Sequence, residues 1–232
     1  MNIKPKKISP RIVVLLLILV VVVPFLPLLI SWHWDWWEAW VYAITTILGF
    51  ALSRLLAART HPDIIAERAN FHQHENTKPW DKRLTLLGFL GGGLVPLVAG
   101  LDALYDWSPP YSLPLKIVSL IAILAGYALG SYAFIENSFF SAEVRIQADR
   151  GHRVVSSGPY RWIRHPGYAG SLLTTLVIPL FLDSGWAFLP SVFSVVLLVI
   201  RTKLEDKALT DELEGYSDYT RRVRFRLLPG VW

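Results

Sequence analysis

Residues 144–170 read VRIQADRGHRVVSSGPYRWIRHPGYAG, a polar stretch set between long apolar segments. Its glycines and prolines indicate a rigid but irregular backbone, because Gly permits positive φ and Pro fixes φ. Such a backbone is costly in contact with lipid, where unpaired amides and carbonyls find no water. We therefore expect this stretch to lie at a membrane surface or in a protected pocket, with backbone groups left to bond a polar ligand.

The composition indicates a membrane protein. The 232-residue chain is 53% hydrophobic, whereas about 45–50% is usual in soluble domains even with glycine counted. Several apolar segments approach the roughly 20 residues that span a bilayer. We expect an all-α fold, a polytopic transmembrane helical bundle of about six spans in a single domain, over residues 12–30, 40–57, 84–105, 113–134, 168–182 and 186–200.

Charge and residue types exclude several classes of function. The chain has no cysteine, which excludes disulfides, thiolate metal sites and a cysteine nucleophile. Its net charge of +5 does not predict nucleic-acid binding, because the basic residues fall in alternate loops beside apolar segments. That alternation predicts that both termini, the loop at residues 60–83 and the 144–170 stretch face the cytoplasm. Arg54 and Arg59, at the inner end of the second span, should extend their charged groups to the surface.

Three further patterns suggest a signal peptide, a nucleotide loop and a metal site, but each has a simpler explanation. The first apolar segment is long for a signal peptide, so a retained helix is favoured over a cleaved leader. GFLGGG at residues 88–93 resembles a nucleotide loop, but no strand precedes it, and close helix packing is the better interpretation. The same small-residue packing is predicted at Gly126 and Gly130. His72 and His74 alone do not predict a metal site, and we expect a solvated loop there and no bound metal.

Arg201 and Glu205 follow the last apolar segment at positions i and i+4, so they share one face of a helix. Two interpretations stay open from this pattern alone. The residues could form an ion pair at the membrane surface, or they could bind ligands, since the planar fork of Arg suits a carboxylate. Apolar periodicity beyond Glu205 predicts that the last span runs on into an amphipathic helix.

GPYRWIRHPGYAG, followed by Arg201-Thr-Lys-Leu-Glu205-Asp206, resembles the isoprenylcysteine carboxyl methyltransferase family of membrane enzymes. The family pattern is roughly GPY-x-x-x-RHP-x-Y-x-G and then R-x-x-x-E-E. Here Asp206 stands where a second Glu is usual, and it is not assigned to the site. The resemblance covers residues 136–232, so residues 1–135 are expected to be N-terminal spans and residues 136–232 the catalytic and cofactor-binding part.

The resemblance implies a methyltransferase that uses S-adenosyl-L-methionine, with a cytoplasmic cofactor pocket and no nucleic-acid partner. Its acceptor would be a lipid or a prenylated molecule, with Arg201 as the catalytic residue that holds the acceptor carboxylate. Related readings are a phospholipid N-methyltransferase and an NADPH-dependent membrane sterol or enone reductase. The implied cofactor contacts are Gln147, His152, Arg153, Val154, Val155, Tyr160, His165, Pro166, Gly167, Tyr168 and Glu205.

Overall fold

A computed structural model describes residues 17–61 and 77–232, together with Val14. The basic N-terminus, His72 and His74 lie outside the described residues. Within these residues the protein is helical and contains no strand. The helices are α1 Ile18–Ser31, which opens with a π-helical turn, α2 Trp37–Thr60, α3 Pro79–Leu104, α4 Leu113–Glu136, α5 Pro166–Phe181, α6 Phe188–Glu212 and α7 Tyr216–Arg222.

Each predicted apolar segment contributes to one helix, from α1 to α6. Within the described ranges, α2, α3 and α4 are long and apolar enough to cross a membrane, with 24, 26 and 24 residues. Helices α1 and α5 are apolar but shorter, and α6 continues into a charged C-terminal half. The structure therefore confirms a helical bundle of an integral membrane protein, and the number of six spans stays a prediction.

Prolines and residues with positive φ mark several helix boundaries. Helices α3, α4 and α5 each have a proline in the first turn, where a missing N–H leaves no helical bond unmade. Between α1 and α2, Trp32 takes a left-handed conformation with φ of 58°. Asp183 does the same between α5 and α6, with φ of 53°.

Small residues bring α4 and α5 into backbone contact. A Cβ atom at Gly126 would lie 2.6 Å from Thr174 Cγ2 and 2.7 Å from the carbonyl oxygen of Gly170. A Cβ at Gly170 would meet the carbonyl of Gly126 and lie 2.9 Å from the amide of Gly130. The predicted close packing is therefore confirmed at Gly126, whereas a Cβ at Gly130 would meet nothing within 4 Å. In GFLGGG only Gly91 lies against a neighbouring helix, at Ser194 and Phe193 of α6.

The bundle has two different ends. At one end Lys116 pairs with Glu38 and, at 2.5 Å, with Asp183, close to exposed tryptophans including Trp107 and Trp186. At the other end lie the start of α3, residues 137–165 and the C-terminal tail. The structure thus brings the two sequence blocks that carry the family pattern to the same end. That this end faces the cytoplasm stays a prediction.

The last long helix differs from the expected continuous amphipathic helix. Helix α6 runs past the apolar segment to Glu212, as predicted, but the chain then breaks. Gly215 has φ of +79°, a conformation that favours glycine, and α7 starts at the next residue. The break turns Tyr216 and Tyr219 back toward the 144–170 stretch, where both are buried.

The α4–α5 contact predicts a sharp difference between two glycine substitutions. Gly170→Ala should lower stability by about 1–3 kcal/mol, because its Cβ meets backbone atoms that cannot rotate away. Gly93→Ala on α3 is the control, since a Cβ there meets nothing within 4 Å. It should be neutral or stabilise the helix by up to about 1 kcal/mol. Thermal unfolding in neutral detergent, followed by circular dichroism, measures both; equal melting temperatures would contradict the packing argument.

Candidate functional site

Residues 137–165 cross the end of the bundle with little regular structure. They contain two short 3₁₀ turns, Ala148–Arg150 and Gly158–Arg161. Gly158 has φ of +52°, and a Cβ there would lie 2.9 Å from the carboxyl carbon of Glu136. His165 is extended, with φ of −125° and ψ of 62°, before Pro166 opens α5. The segment is therefore shaped by the glycine and proline positions that the sequence indicated.

A buried carboxylate, Asp206, joins three parts of the chain at this end. Its Oδ1 accepts a hydrogen bond from Arg164 Nε at 2.8 Å and from the Tyr216 hydroxyl at 3.1 Å, and lies 3.2 Å from His165 Nε2. Its Oδ2 accepts from Arg164 Nη2 at 3.0 Å and from Arg226 Nε at 2.8 Å. Burial favours a higher pKa for Asp206, but the bonds to His165, Arg226 and Arg164 hold its pKa below the ordinary value.

The backbone strengthens this junction. The amides of Arg164 and His165 donate to the carbonyls of Phe225 and Arg226, each at 2.9 Å. Arg164 Nη1 also donates to the carbonyl of Val223 at 2.9 Å. The RHP turn, α6 and the C-terminal tail are thus fixed against one another. The sequence did not assign Asp206 to the site, yet this residue organises the site without lining its cavity.

Arg201 forms a second junction, with α3. Its Nε and Nη2 bind the carboxylate of Asp81 at 2.7 and 3.2 Å, and Nη2 also donates to the carbonyl of Ala142 at 2.8 Å. Asp81 is fully buried, and its Oδ2 accepts the amide of Val144 at 2.8 Å as well. The ion pair that the sequence left open is therefore made with Asp81, and the described structure gives no ion pair between Arg201 and Glu205.

Glu205 faces the family motif. The Tyr168 hydroxyl donates to Glu205 Oε2 at 2.5 Å, and the rings of Tyr168 and His165 stack with centroids 5.8 Å apart and planes 9° apart. The guanidinium of Arg201 lies 5.5 Å from the centre of the Tyr168 ring. Among the described residues, no Lys or Arg forms a salt bridge with Glu205. Its negative charge is consequently available to a cationic ligand.

These groups surround a cavity of about 100 Å³. Most of the cofactor contacts that the resemblance implied line it: Gln147, His152, Arg153, Val154, Val155, Tyr160, His165, Gly167, Tyr168 and Glu205. The implied contact Pro166 does not line the cavity, and neither does Arg201, which was predicted to hold the acceptor. Others that line it were not expected: Asn137, Phe139, Phe140, Ser141, Glu143, Val144, Arg145, Arg164, Leu209, Leu213, Tyr216 and Tyr219. The structure thus assembles the site from residues 137–168 and from α6 and α7.

The predicted residues contribute in different ways. Gln147 is almost fully buried. Its Nε2 donates to the carbonyl of Phe139 at 2.7 Å, and its Oε1 accepts a hydrogen bond from Arg150 Nη1 at 2.5 Å. Tyr160 is buried, and its hydroxyl donates to the carbonyl of Ala133 at 3.3 Å. Both residues therefore support the cavity wall. Trp162, in the same segment, is 64% exposed and does not line the cavity.

His152 gives the cavity a neutral aromatic surface. Its ring lies against Phe139 with centroids 4.7 Å apart and planes tilted by 32°, and its Nδ1 accepts a hydrogen bond from the amide of Gln147 at 3.3 Å. Burial, and then the positive charges of Arg145 and Arg150, lower the pKa of His152 to about 4. The imidazole is therefore uncharged near neutral pH, and it presents a flat face to a ligand without repelling a cation.

The donor set fits the cofactor that the resemblance implies. Within the described residues, the backbone amides and carbonyls of Arg153, Val154 and Val155 make no hydrogen bond, so they can bond a polar ligand. Glu205 offers an unneutralised carboxylate, and Tyr168 and His152 offer aromatic faces, both of which attract a sulfonium. No group of three His, Cys, Asp or Glu side chains in the described part of the chain could hold a metal ion.

Two of the unexpected residues left a signal in the sequence. Tyr216 and Tyr219 follow the apolar periodicity of the tail, but only the break at Gly215 turns them into the site. The Tyr219 hydroxyl donates to the carbonyl of Tyr160 at 2.7 Å. Phe139 and Phe140 precede the motif in an irregular segment, where no periodicity distinguishes a cavity-lining ring from any other.

The Asp206 junction leads to a stability prediction. Asp206→Asn removes the charge that neutralises Arg164 and Arg226, and leaving buried charges uncompensated costs about 3–5 kcal/mol. Asp211→Asn, at an exposed position of the same helix, is the control and should change stability by less than about 0.5 kcal/mol. Both are compared by thermal unfolding in neutral detergent. A similar melting temperature for the two variants would show that Asp206 does not organise the site.

Comparison with known proteins gives two findings. The model of the isoprenylcysteine carboxyl methyltransferase (ICMT) family matches residues 118–211. The uncharacterized protein YpbQ of Bacillus subtilis (strain 168) is 44% identical over 62 residues, which is 26% of this chain and 37% of that protein. The chain therefore matches little more than a third of this relative's length. The matched residues 118–211 include the RHP turn, Arg201 and Glu205, and this part of the chain is similar to the isoprenylcysteine carboxyl methyltransferase family.

Proposed function

We propose that this protein transfers the methyl group of S-adenosyl-L-methionine to a lipid-like acceptor in the membrane. The favoured acceptor group is the carboxylate of a prenylated cysteine or a similar molecule. The observation that carries the proposal is Glu205, whose unneutralised carboxylate lines the same cavity as the RHPGY turn. A cavity with that charge, aromatic faces and free backbone groups suits a zwitterionic donor with an additional positive charge at sulfur.

Glu205 and residues 153–155 would hold the cofactor. Glu205 would take its amino or ribose groups, and the free backbone of residues 153–155 would bond its polar edges. The cavity of about 100 Å³ is below the roughly 300 Å³ of the smallest usual ligand pockets. Entry of the cofactor therefore requires the cavity to widen, which is easiest at residues 153–155, whose backbone makes no hydrogen bond within the described residues.

Arg201 would hold the anionic acceptor through the part of its guanidinium that Asp81 leaves free. Nε and Nη2 are bound to Asp81 and Ala142, whereas Nη1 makes no hydrogen bond within the described residues. Asp81 fixes the plane of the guanidinium, so Nη1 is held in one direction beside Tyr168. Arg201 would thus position a carboxylate with one donor and act as the catalytic residue of the proposed reaction.

The proposed reaction requires the protein to position the two reactants and to exclude water. When bound, the cofactor supplies an electrophilic methyl group on a sulfonium. A carboxylate acceptor is already an anion, so none of the residues of this chain has to remove a proton from it. The proposed role of Arg201 is to hold the acceptor oxygen in line, and that of Tyr168 and His165 is to exclude water. This end of the bundle would face the cytoplasm, where the cofactor is available.

The cofactor assignment is tested by ligand binding to the full chain in neutral detergent. S-adenosylhomocysteine should bind and raise the melting temperature by several degrees, since a ligand at about 100 times its Kd stabilises by about 2.7 kcal/mol. NADPH at the same concentration should leave the melting temperature unchanged. Stabilisation by NADPH alone would support a membrane reductase instead, and stabilisation by neither would support a protein without a cofactor.

The residue roles are tested by two variants, a single substitution at Glu205 and a double substitution at Arg201 and Asp81. Glu205→Gln should weaken S-adenosylhomocysteine binding at least about tenfold, the effect of losing one charge-assisted hydrogen bond. Replacing Arg201 with Gln together with Asp81→Asn removes both charges of the pair, and it should abolish methyl transfer to a prenylcysteine while cofactor binding stays within about twofold.

Lys203→Gln and Asp211→Asn, both at exposed positions of the same helix, are the matched controls. Calorimetric titration measures cofactor binding, and transfer of a labelled methyl group measures activity. The assignment would be reversed if the Arg201 variant lost the cofactor while the Glu205 variant kept it.

A further inference from the structure

A second cavity lies inside the bundle, between α2, α4 and α5, and has a volume of about 340 Å³. Glycines at positions 49, 126, 130 and 170 are among the residues that line it. Phe140 and Gly167 line both this cavity and the one that holds Glu205. The two cavities are therefore neighbours separated by a thin wall. Its volume is within the roughly 300–1,000 Å³ of small-molecule sites.

Arg54 is the one charged side chain among the described residues that line this second cavity. Its guanidinium lies between two rings, 4.2 Å from the centre of Phe50 and 4.5 Å from the centre of Phe134. Nη1 donates to Ser53 Oγ at 2.9 Å. Among the described residues no carboxylate pairs with Arg54, whereas Arg164 and Arg201 each bind one. Most of its five N–H donors are thus unused.

The position of this guanidinium contradicts the expectation that Arg54 extends to the membrane surface. Phe50 is one turn closer to the middle of α2 than Arg54, and the guanidinium packs on Phe50 and not toward Thr60, where the helix ends. Side chains of a helix lean toward its N-terminus, which here is away from that surface. A charge held inside a membrane-spanning helix is costly and is typical of a binding site that supplies the opposite charge.

We propose that the cavity at Arg54 is a binding site for an acidic amphiphile, a membrane molecule with an oxyanion head and an apolar chain. The planar fork of the guanidinium would bind two oxygens of a carboxylate or a phosphate, and the two phenylalanine rings hold that fork in place. The chain would occupy the cavity beside Gly130 of α4, where a Cβ would meet nothing within 4 Å. The proposal predicts binding and not turnover, so it holds or fails independently of the methyl transfer proposed above.

The test compares ligands that differ in the head group alone. Oleate, oleyl phosphate and oleyl alcohol are titrated into the full chain in dodecyl maltoside and followed by calorimetry. Oleate or oleyl phosphate should bind at least about tenfold more tightly than the alcohol, the factor expected for one charge-assisted hydrogen bond. The tighter of the two acids identifies the head group as carboxylate or phosphate, and either result supports the site. Equal binding of all three ligands would overturn the proposal.

Variants locate the binding. Arg54→Gln should bring the acids to within about twofold of the alcohol, and Arg59→Gln, at an exposed position near the end of the same helix, should keep the difference. Gly130→Leu tests the same site without changing a charge. A Cβ at Gly130 meets nothing within 4 Å, so the leucine side chain would occupy the cavity and leave the Arg54 guanidinium charged. It should abolish acid binding while the melting temperature is kept.

S-adenosylhomocysteine binding is measured on the same variants and should be unchanged by both substitutions. Loss of S-adenosylhomocysteine binding in the unaltered chain, with acid binding kept, would reject the proposed methyl transfer alone. An acid preference that survives both Arg54→Gln and Gly130→Leu would show that the amphiphile binds elsewhere and would reject the Arg54 site.

Discussion

The site depends on the burial of the Asp206 carboxylate among positively charged partners. A buried charge is tolerated only when it is paired and hydrogen-bonded, so each partner of Asp206 has to be in place for the others to be stable. Those partners come from separate parts of the chain: Arg164 and His165 from the RHP turn, and Arg226 from the tail. One carboxylate on α6 therefore determines how the RHP turn meets the C-terminal tail, and with it the shape of the cavity.

The second junction explains how the N-terminal half of the chain, which carries no family motif, takes part in the site. Asp81 at the start of α3 neutralises Arg201 and holds the amide of Val144. With Asp81 and Asp206 both bound to arginines, Glu205 is left between them on α6, facing Tyr168 without a cationic partner in the described structure. Within the described residues, Glu205 thus keeps an unpaired carboxylate because Arg201 is bound to Asp81 and Arg164 is bound to Asp206.

The parts of this arrangement that the sequence could predict are local ones. Apolar segments predicted the helices, the spacing of Gly126 and Gly130 predicted a close helix contact, and the motif predicted Tyr168 and Glu205 at one site. Asp81 gave no such signal, because its partner Arg201 is 120 positions away and an acid in the first turn of a helix is ordinary. The position of Arg54 also depends on a distant residue, Phe134 of α4, whose ring holds the guanidinium inside the bundle. Contacts between residues that are distant in sequence determine the positions of Arg201 and Arg54, and spacing along the chain does not reveal such contacts.

The wall between the two cavities includes Phe140 and Gly167, which line both. Each cavity contains one charged side chain without an ion-pair partner among the described residues that the proposals use: the carboxylate of Glu205 on one side and the guanidinium of Arg54 on the other. Gly167 lets Phe140 pack directly against the start of α5, because a Cβ at Gly167 would lie 2.7 Å from the Phe140 ring and would force it away. The glycine after His165-Pro166 is therefore required by the packing of this ring, and any larger residue would displace the wall that both cavities share.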